Sequence, residues 1–285
     1  MKKIFLFTAL TLTSTTFASD KAIYGIDSRI DVNESKNAVH KRMANSVAVM
    51  IPEFVIWDTD KDKTSFMDLN LKDTMKVCDA EPFAHQQTVA TCTGFLVAPN
   101  LLVTAGHCVK SEADCSHNKW VFDYKVKKKS DTTVGSIPNS SIYSCKKIVE
   151  SKLSSSLFSK KDWAIIELDR PVKDRAPLKL SKKAPSRGDN LYVIGAPSGL
   201  PLKIATGVVR SKKLSHFSAN LDTFAGNSGS PVFNSKTNQV EGILVRGDND
   251  YTEIFGRCLV STTYKENGGR GEDVSYIKDV RALLK

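Results

Sequence analysis

The chain has 285 residues, 41% of them apolar and 25% charged, which is enough to bury a full core and excludes a disordered or collagen-like polymer. Its formal net charge is +10 and it carries six cysteines. No apolar run is long enough to cross a bilayer as a helix, so no membrane span is expected, and the length suits two domains or one large all-β unit.

Residues 1–18 read as a secretory signal: Lys2 and Lys3, an apolar run from Ile4 to about Leu12, then Thr16-Phe17-Ala18 before Ser19. The expected mature protein is therefore secreted, extracellular or periplasmic, and an even number of cysteines in such a chain favours disulfides. Residues 19–45 are polar, without strong periodicity, and read as an N-terminal arm or propeptide. Apolar, β-rich runs then recur between turn signals: Ser46–Ile51, Thr88–Val97, Leu101–Thr104, Lys119–Val126, Lys146–Glu150, Trp163–Leu168, Leu191–Gly195, Ile204–Arg210, Val232–Asn234 and Val240–Val245. Many short strands without intervening amphipathic helices predict an all-β sandwich or barrel rather than an α/β sheet.

A stretch rich in Pro, Lys and Ser follows Asp169-Arg170-Pro171, which places a boundary there, giving units at 46–170 and 171–272. From Asp273 onward, Val274, Ile277, Val280 and Leu284 recur at steps of three and four, predicting a C-terminal helix over 273–285. Three local signals lead nowhere. Asp58-Thr59-Asp60-Lys61-Asp62 begins like a calcium loop, but Lys63 stands at the glycine position and Leu69 at the closing glutamate. His107, Cys108, Cys115 and His117 have zinc-ligand side chains without C-x-x-C spacing, so no metal is expected. The basic run Lys125-Val126-Lys127-Lys128-Lys129 lacks interleaved aromatics and reads as a solvated hairpin tip, so no nucleic-acid partner is expected.

Chemistry concentrates in Phe224-Ala225-Gly226-Asn227-Ser228-Gly229-Ser230-Pro231-Val232. A serine hydroxyl needs a base to take its proton and fixed donors to receive the oxyanion. Ser228 supplies the hydroxyl, and Gly226 lets the chain bend so that the Gly226 and Ser228 N–H groups can share one small space. The base is offered by His107 in Leu102-Val103-Thr104-Ala105-Gly106-His107-Cys108-Val109, where a strand ends in a small-residue turn. A carboxylate to hold its second nitrogen is offered by Asp162, immediately before the apolar run Trp163-Ala164-Ile165-Ile166-Glu167-Leu168. Each piece alone has a plain structural reading: a turn, a strand end, a strand start.

In the order His107, Asp162, Ser228, through TAGHC, DWAIIELD and GNSGSP, the chain resembles the chymotrypsin-like (trypsin-like) serine peptidases. Asn227 and Ser230 are closer in style to the bacterial glutamyl endopeptidase branch than to the digestive enzymes. The resemblance spans about Ala22 to the C-terminus. It implies two antiparallel six-stranded β-barrels with the triad in the cleft between them, a serine endopeptidase activity on protein or peptide substrates, and no cofactor. It also implies a bridge between Cys92 and Cys108 beside the histidine; Cys115 with Cys145 and Cys78 with Cys258 are assigned for the remainder.

Asn227 carries no charge to pair with a new N-terminal amine, so activation through that trypsin-type salt bridge is not expected, although Ile23-Tyr24-Gly25 resembles a mature start. The resemblance places Asp222 at the floor of the primary pocket, where it would bind Arg or Lys; a turn-capping role is the equal alternative. Thr223 matches a threonine used for glutamate preference, but Leu244 stands where its partner histidine would be. Gly247 aligns with the residue that bonds substrate backbone, and Val245 with one that often supports the triad aspartate. A monomeric secreted serine endopeptidase is the expectation, and its rival is a non-catalytic binding protein on the same fold with a working basic surface.

Overall fold

A computed structural model describes residues 22–154, 160–254 and 256–284. The predicted signal segment lies outside the described residues. Runs of β-branched and aromatic residues favour extended, pleated backbone, and twelve of the strands they form build two barrels. The first comprises β1 (Val47–Pro52), β2 (Cys92–Ala98), β3 (Leu101–Thr104), β4 (Asn118–Phe122), β5 (Ile142–Leu153) and β6 (Asp162–Leu168). They close in the order β5-β6-β3-β2-β1-β4, with every pairing antiparallel. The second comprises β7 (Asn190–Gly195), β8 (Lys203–Lys212), β9 (His216–Ala219), β10 (Pro231–Asn234), β11 (Val240–Arg246) and β12 (Glu272–Tyr276). Its order is β7-β10-β11-β12-β9-β8, and pairing of β7 with β8 closes the ring. Closure removes sheet edges, which is how such strands avoid pairing with other chains.

Strands such as Val47–Pro52 and Asp162–Leu168 are buried on both faces over most of their length. Phe95, Leu102, Trp120, Phe122 and Ile166 fill the first barrel, and Leu191, Phe217, Leu221, Val232, Leu244 and Val274 the second. The first cluster extends without a break through Tyr192, Ile194, Phe233 and Ile243, so the barrels meet across an apolar seam. Each buried aliphatic or aromatic side chain contributes about 1.5–3 kcal/mol by leaving water.

Of the segment 19–45, read as an arm or propeptide, the described residues 22–45 pack onto the folded body. Ile23 and Tyr24 pair in parallel with Thr263 and Tyr264, Ile30 and Asp31 add to the edge of β8, and Ala38–Ala44 forms helix α1. Its polar residues explain why no periodicity announced it: Asp31 is buried through its ion pair with Lys203, and Arg29 through its ion pair with Asp27 and by lying over the Phe224 ring. Residues 273–276 also depart from the expected helix. They form β12, bonded to β9 and β11, and α2 begins only at Lys278 and runs to Leu283. Val274 fits either pattern, and the two waiting strand neighbours decide it, since tertiary context overrides short-range periodicity. Strand β9 lay in a stretch, Ser215–Ala219, without a strong apolar signal.

The disulfides join Cys78 to Cys258, Cys92 to Cys108, and Cys115 to Cys145. The basic run leaves the barrel as a loop after β4; Lys125 pairs with Asp123 at 3.1 Å and Lys129 with Glu34 at 2.8 Å.

Candidate active site

His107 sits in a single 3₁₀ turn, Gly106–Cys108, directly after β3. A side chain at Gly106 would lie 2.8 Å from the Lys152 carbonyl, so only glycine lets this turn press against the end of β5. The disulfide from Cys108 to Cys92 ties the turn to the start of β2. Opposite it, β6 begins with Asp162, which is 2% exposed and held at the strand end by the ladder that makes Trp163–Leu168 core. Strand burial thus delivers the carboxylate to the imidazole. Asp162 Oδ2 lies 2.8 Å from His107 Nδ1, and Oδ1 accepts the His107 backbone N–H at 3.1 Å. Two bonds from one residue fix the ring, and a carboxylate beside Nδ1 sets the tautomer with its proton there, leaving Nε2 to act as base.

Burial pushes the Asp162 carboxyl up, but the His107 hydrogen bonds and charge, helped by Arg246, outweigh it and hold it below the usual carboxylate range. The Arg246 guanidinium approaches Asp162 Oδ2 at 3.4 Å. Val245, aligned by resemblance with that supporting role, points its side chain into the core instead, and its neighbour on the strand makes the contact.

The loop carrying Ser228 lies against the same turn. Thr93, the second residue of β2, donates its N–H to the Ser228 carbonyl at 2.8 Å and its hydroxyl to the Gly226 carbonyl at 2.8 Å. The Cys108 sulfur is 3.7 Å from the Ser228 carbonyl. A side chain at Gly229, whose φ is +90°, would fall 2.0 Å from the Thr93 carbonyl and 2.9 Å from Ala105 N. Gly226 has φ +88°, a conformation in which a side chain would strike the Ala196 carbonyl at 2.3 Å. Gly229 is therefore required for the serine loop to dock beside the histidine turn, and Gly226 for it to pack against the turn that follows β7. Ser228 is 2% exposed, and Thr93 is the fully buried clamp that sequence reading missed. A threonine next to a strand cysteine carries no signal of its own.

Asn227 and Ser230, both buried, stand 3.4 Å apart through Oδ1 and Oγ. The N-terminal segment goes to Asp222 instead. That carboxylate accepts from Tyr24 N at 2.7 Å, Ser28 N at 2.8 Å and Ser28 Oγ at 2.6 Å. Burial raises its pKa, with the Ser28 and Tyr24 bonds acting against the rise. Both oxygens of Asp222 thus face the segment 24–28 rather than the serine loop's own turn. The role the contacts show is structural but not the expected turn cap: Asp222 anchors a segment almost 200 residues away in sequence, which no turn pattern reveals. Leu244 contributes backbone to the serine loop, donating N–H to the Ser230 carbonyl at 3.0 Å and accepting from Gly229 N at 2.7 Å, while its side chain packs in the second barrel. Thr223 donates to Glu272 Oε2 at 2.8 Å, and Gly247 lies directly over the same carboxylate.

The group Cys92, His107 and Cys108 comes close enough to hold an ion, but both sulfurs are spent in one disulfide and are not thiolates. The arrangement holds an imidazole oriented by a buried carboxylate, with the Ser228 loop packed beside its turn.

The family model for the trypsin-like peptidase domain matches residues 92–243. The chain belongs to that family. The peptidase is therefore a hydrolase of the serine type, and the matched span contains Asp162, Ser228 and the whole His107 turn. A solved structure of a Glu endopeptidase in complex with MPD is similar at TM-score 0.51 and 18% identity, covering 92% of this peptidase and 97% of that chain. Rv3671c from M. tuberculosis H37Rv, in an inactive mutant form, is similar at TM-score 0.51 and 14% identity over 92% of this chain and 95% of that one. At these identities the likeness concerns the fold. The three disulfides of the peptidase suit an oxidising compartment.

Proposed function

We propose that the protein is a secreted serine endopeptidase that works through an acyl-enzyme on Ser228. The observation that carries this reading is the 2.8 Å contact between His107 Nδ1 and the buried Asp162 carboxylate, in the turn against which the Ser228 loop is clamped. Ser228 Oγ attacks the scissile carbonyl carbon and its proton passes to His107 Nε2. The C–N bond then breaks as His107 returns that proton to the leaving amine. Water repeats the cycle, giving its proton to His107 and freeing the carboxylic acid and Ser228. Asp162 stabilises the imidazolium in between.

The Gly226 and Ser228 N–H groups receive the oxyanion, each worth about 3–4 kcal/mol in comparable sites. The backbone geometry at Gly226 that orients its N–H is accessible to glycine and strained for any other residue. Substrates are proteins or peptides. Fluorophosphonate labelling tests the reading: wild type takes the probe covalently at Ser228 and Ser228→Ala does not. Equal labelling of both, or of neither, rules out the nucleophile. N-terminal sequencing of the exported protein tests secretion, with the expected start beyond Ala18.

A further inference from the structure

We propose that Arg246 is a positioning residue of the triad: it shares the Asp162 oxygen that faces His107, joins the two barrels at that point, and sets the pH at which the base becomes available. This role rests on the reading of Ser228 as nucleophile and His107 as its base. Asp162 Oδ2 meets both partners, lying 2.8 Å from His107 Nδ1 and 3.4 Å from Arg246 Nη2, while Oδ1 accepts the His107 backbone N–H at 3.1 Å. The carboxylate side chain is 3% exposed, so these neighbours rather than water divide its charge.

A bulge in β11 delivers Arg246 to that oxygen. Leu244 pairs with Val274 of β12 and Arg246 with Asp273, which leaves Val245 as an extra, unpaired residue. In a regular strand Arg246 would follow Leu244 into the interior of the second barrel, since residues two apart share a face. The bulge instead seats Val245 in the apolar seam and turns Arg246 to the side on which Asp273 lies. Two residues earlier the same strand bonds the serine loop, through Leu244 to Gly229 and Ser230. Arg246 therefore ties the carboxylate of the first barrel to the strand that holds the nucleophile's loop in the second.

The surrounding charges give this contact its sign. Burial pushes the Asp273 carboxyl up, but His216, Arg270 and Arg246 together hold it below the usual carboxylate range. Arg270 grips Asp273 at 2.6 Å and His216 Nε2, on β9, stands 3.4 Å from it. Lys161, next to Asp162 in the chain, turns to Asp279 at 3.0 Å, and Lys152 of β5 to Glu150 at 2.8 Å. Arg246 thus places a fixed positive charge across one oxygen from the imidazole, where it disfavours a second charge.

The acidic limb of kcat/KM against pH, on a peptide amide that the wild type cleaves, reports protonation of the free enzyme's base. The His107 imidazole titration followed by NMR gives the same midpoint without turnover. Arg246 is 24% exposed and partly screened, so Arg246→Met is expected to move both midpoints up by about 0.5 to 1 pH unit, lowering kcat/KM about 3- to 10-fold below the wild-type midpoint. Arg246→Gln is the second neutral variant, should Arg246→Met not fold. Arg246→Lys keeps the charge and is expected to keep most of the wild-type profile. Asp273→Asn removes the anion on the other side of Arg246 and is expected to move the midpoints down, whereas a residue that only filled space would give no such opposition. Unmoved midpoints in a folded neutral variant, a shift in Arg246→Lys as large as in Arg246→Met, or an upward shift in Asp273→Asn overturns the assignment. A wild type that takes no fluorophosphonate ends the reading of Ser228 and this role with it; a labelled wild type whose neutral variants titrate unchanged ends this role alone.

Discussion

Replacing Asp222 by alanine separates the two roles this residue could have. The carboxylate is 2% exposed and satisfies Tyr24 N at 2.7 Å, Ser28 N at 2.8 Å and Ser28 Oγ at 2.6 Å. Tyr24 is also 2% exposed, so its N–H is left without solvent, at a cost of about 1–3 kcal/mol. Ser28 is only half-buried, and water replaces most of what its two donors lose. Removing a carboxyl that burial already disfavours in its charged form returns part of the cost. A net loss of about 2 kcal/mol is expected in urea unfolding, with the segment 22–28 newly open to proteolysis. The pH dependence carries a definite sign. Because the folded pKa of Asp222 lies above its ordinary value, the folded state binds the proton more tightly, so this group adds stability as pH falls through the window between the two and withdraws it as pH rises. The wild type should therefore gain on Asp222→Ala as the pH is lowered through that window. Unchanged stability and segment exposure, combined with lost preference for Lys or Arg, would refute this account and return Asp222 to the pocket floor.

Asp162→Asn should keep the fold and lower kcat by about 10⁴, because an amide at this position favours the wrong imidazole tautomer; steady-state kinetics on a peptide amide measure it, and a loss below tenfold contradicts the assigned orientation. The Asp162 carboxyl has a depressed folded pKa, so its contribution to stability is present above the ordinary carboxylate range and lost as pH falls through the folded value, opposite in sign to Asp222. Lys203→Met leaves Asp31 buried without its 2.6 Å partner and should cost about 3–5 kcal/mol in chemical unfolding, while the double change of Lys203→Met and Asp31→Leu recovers much of that loss.

Local patterns and short motifs determined much of this protein. Alternating and fully apolar runs announced the strands because sheet burial acts on each residue separately, and His107, Asp162 and Ser228 stood out because each follows or precedes such a run. What periodicity could not decide was competition between partners. Residues 273–276 satisfy a helical stripe and a strand equally, and only the presence of β9 and β11 on either side makes them β12. Residues 22–45 were silent because polar groups hold them, and a polar bond between Tyr24 and Asp222 spans 198 positions with no trace in spacing. The same holds at the site itself. Thr93 and Arg246 acquire their meaning from the seam between the barrels and from the neighbours they meet there, because hydrogen bonds and charge depend on distance in space. The sequence by itself therefore determined the succession of strands and, through its motifs, the resemblance that implied two barrels and singled out His107, Asp162 and Ser228. Tertiary structure alone decided which acid anchors the N-terminal segment and which one lies beneath Gly247.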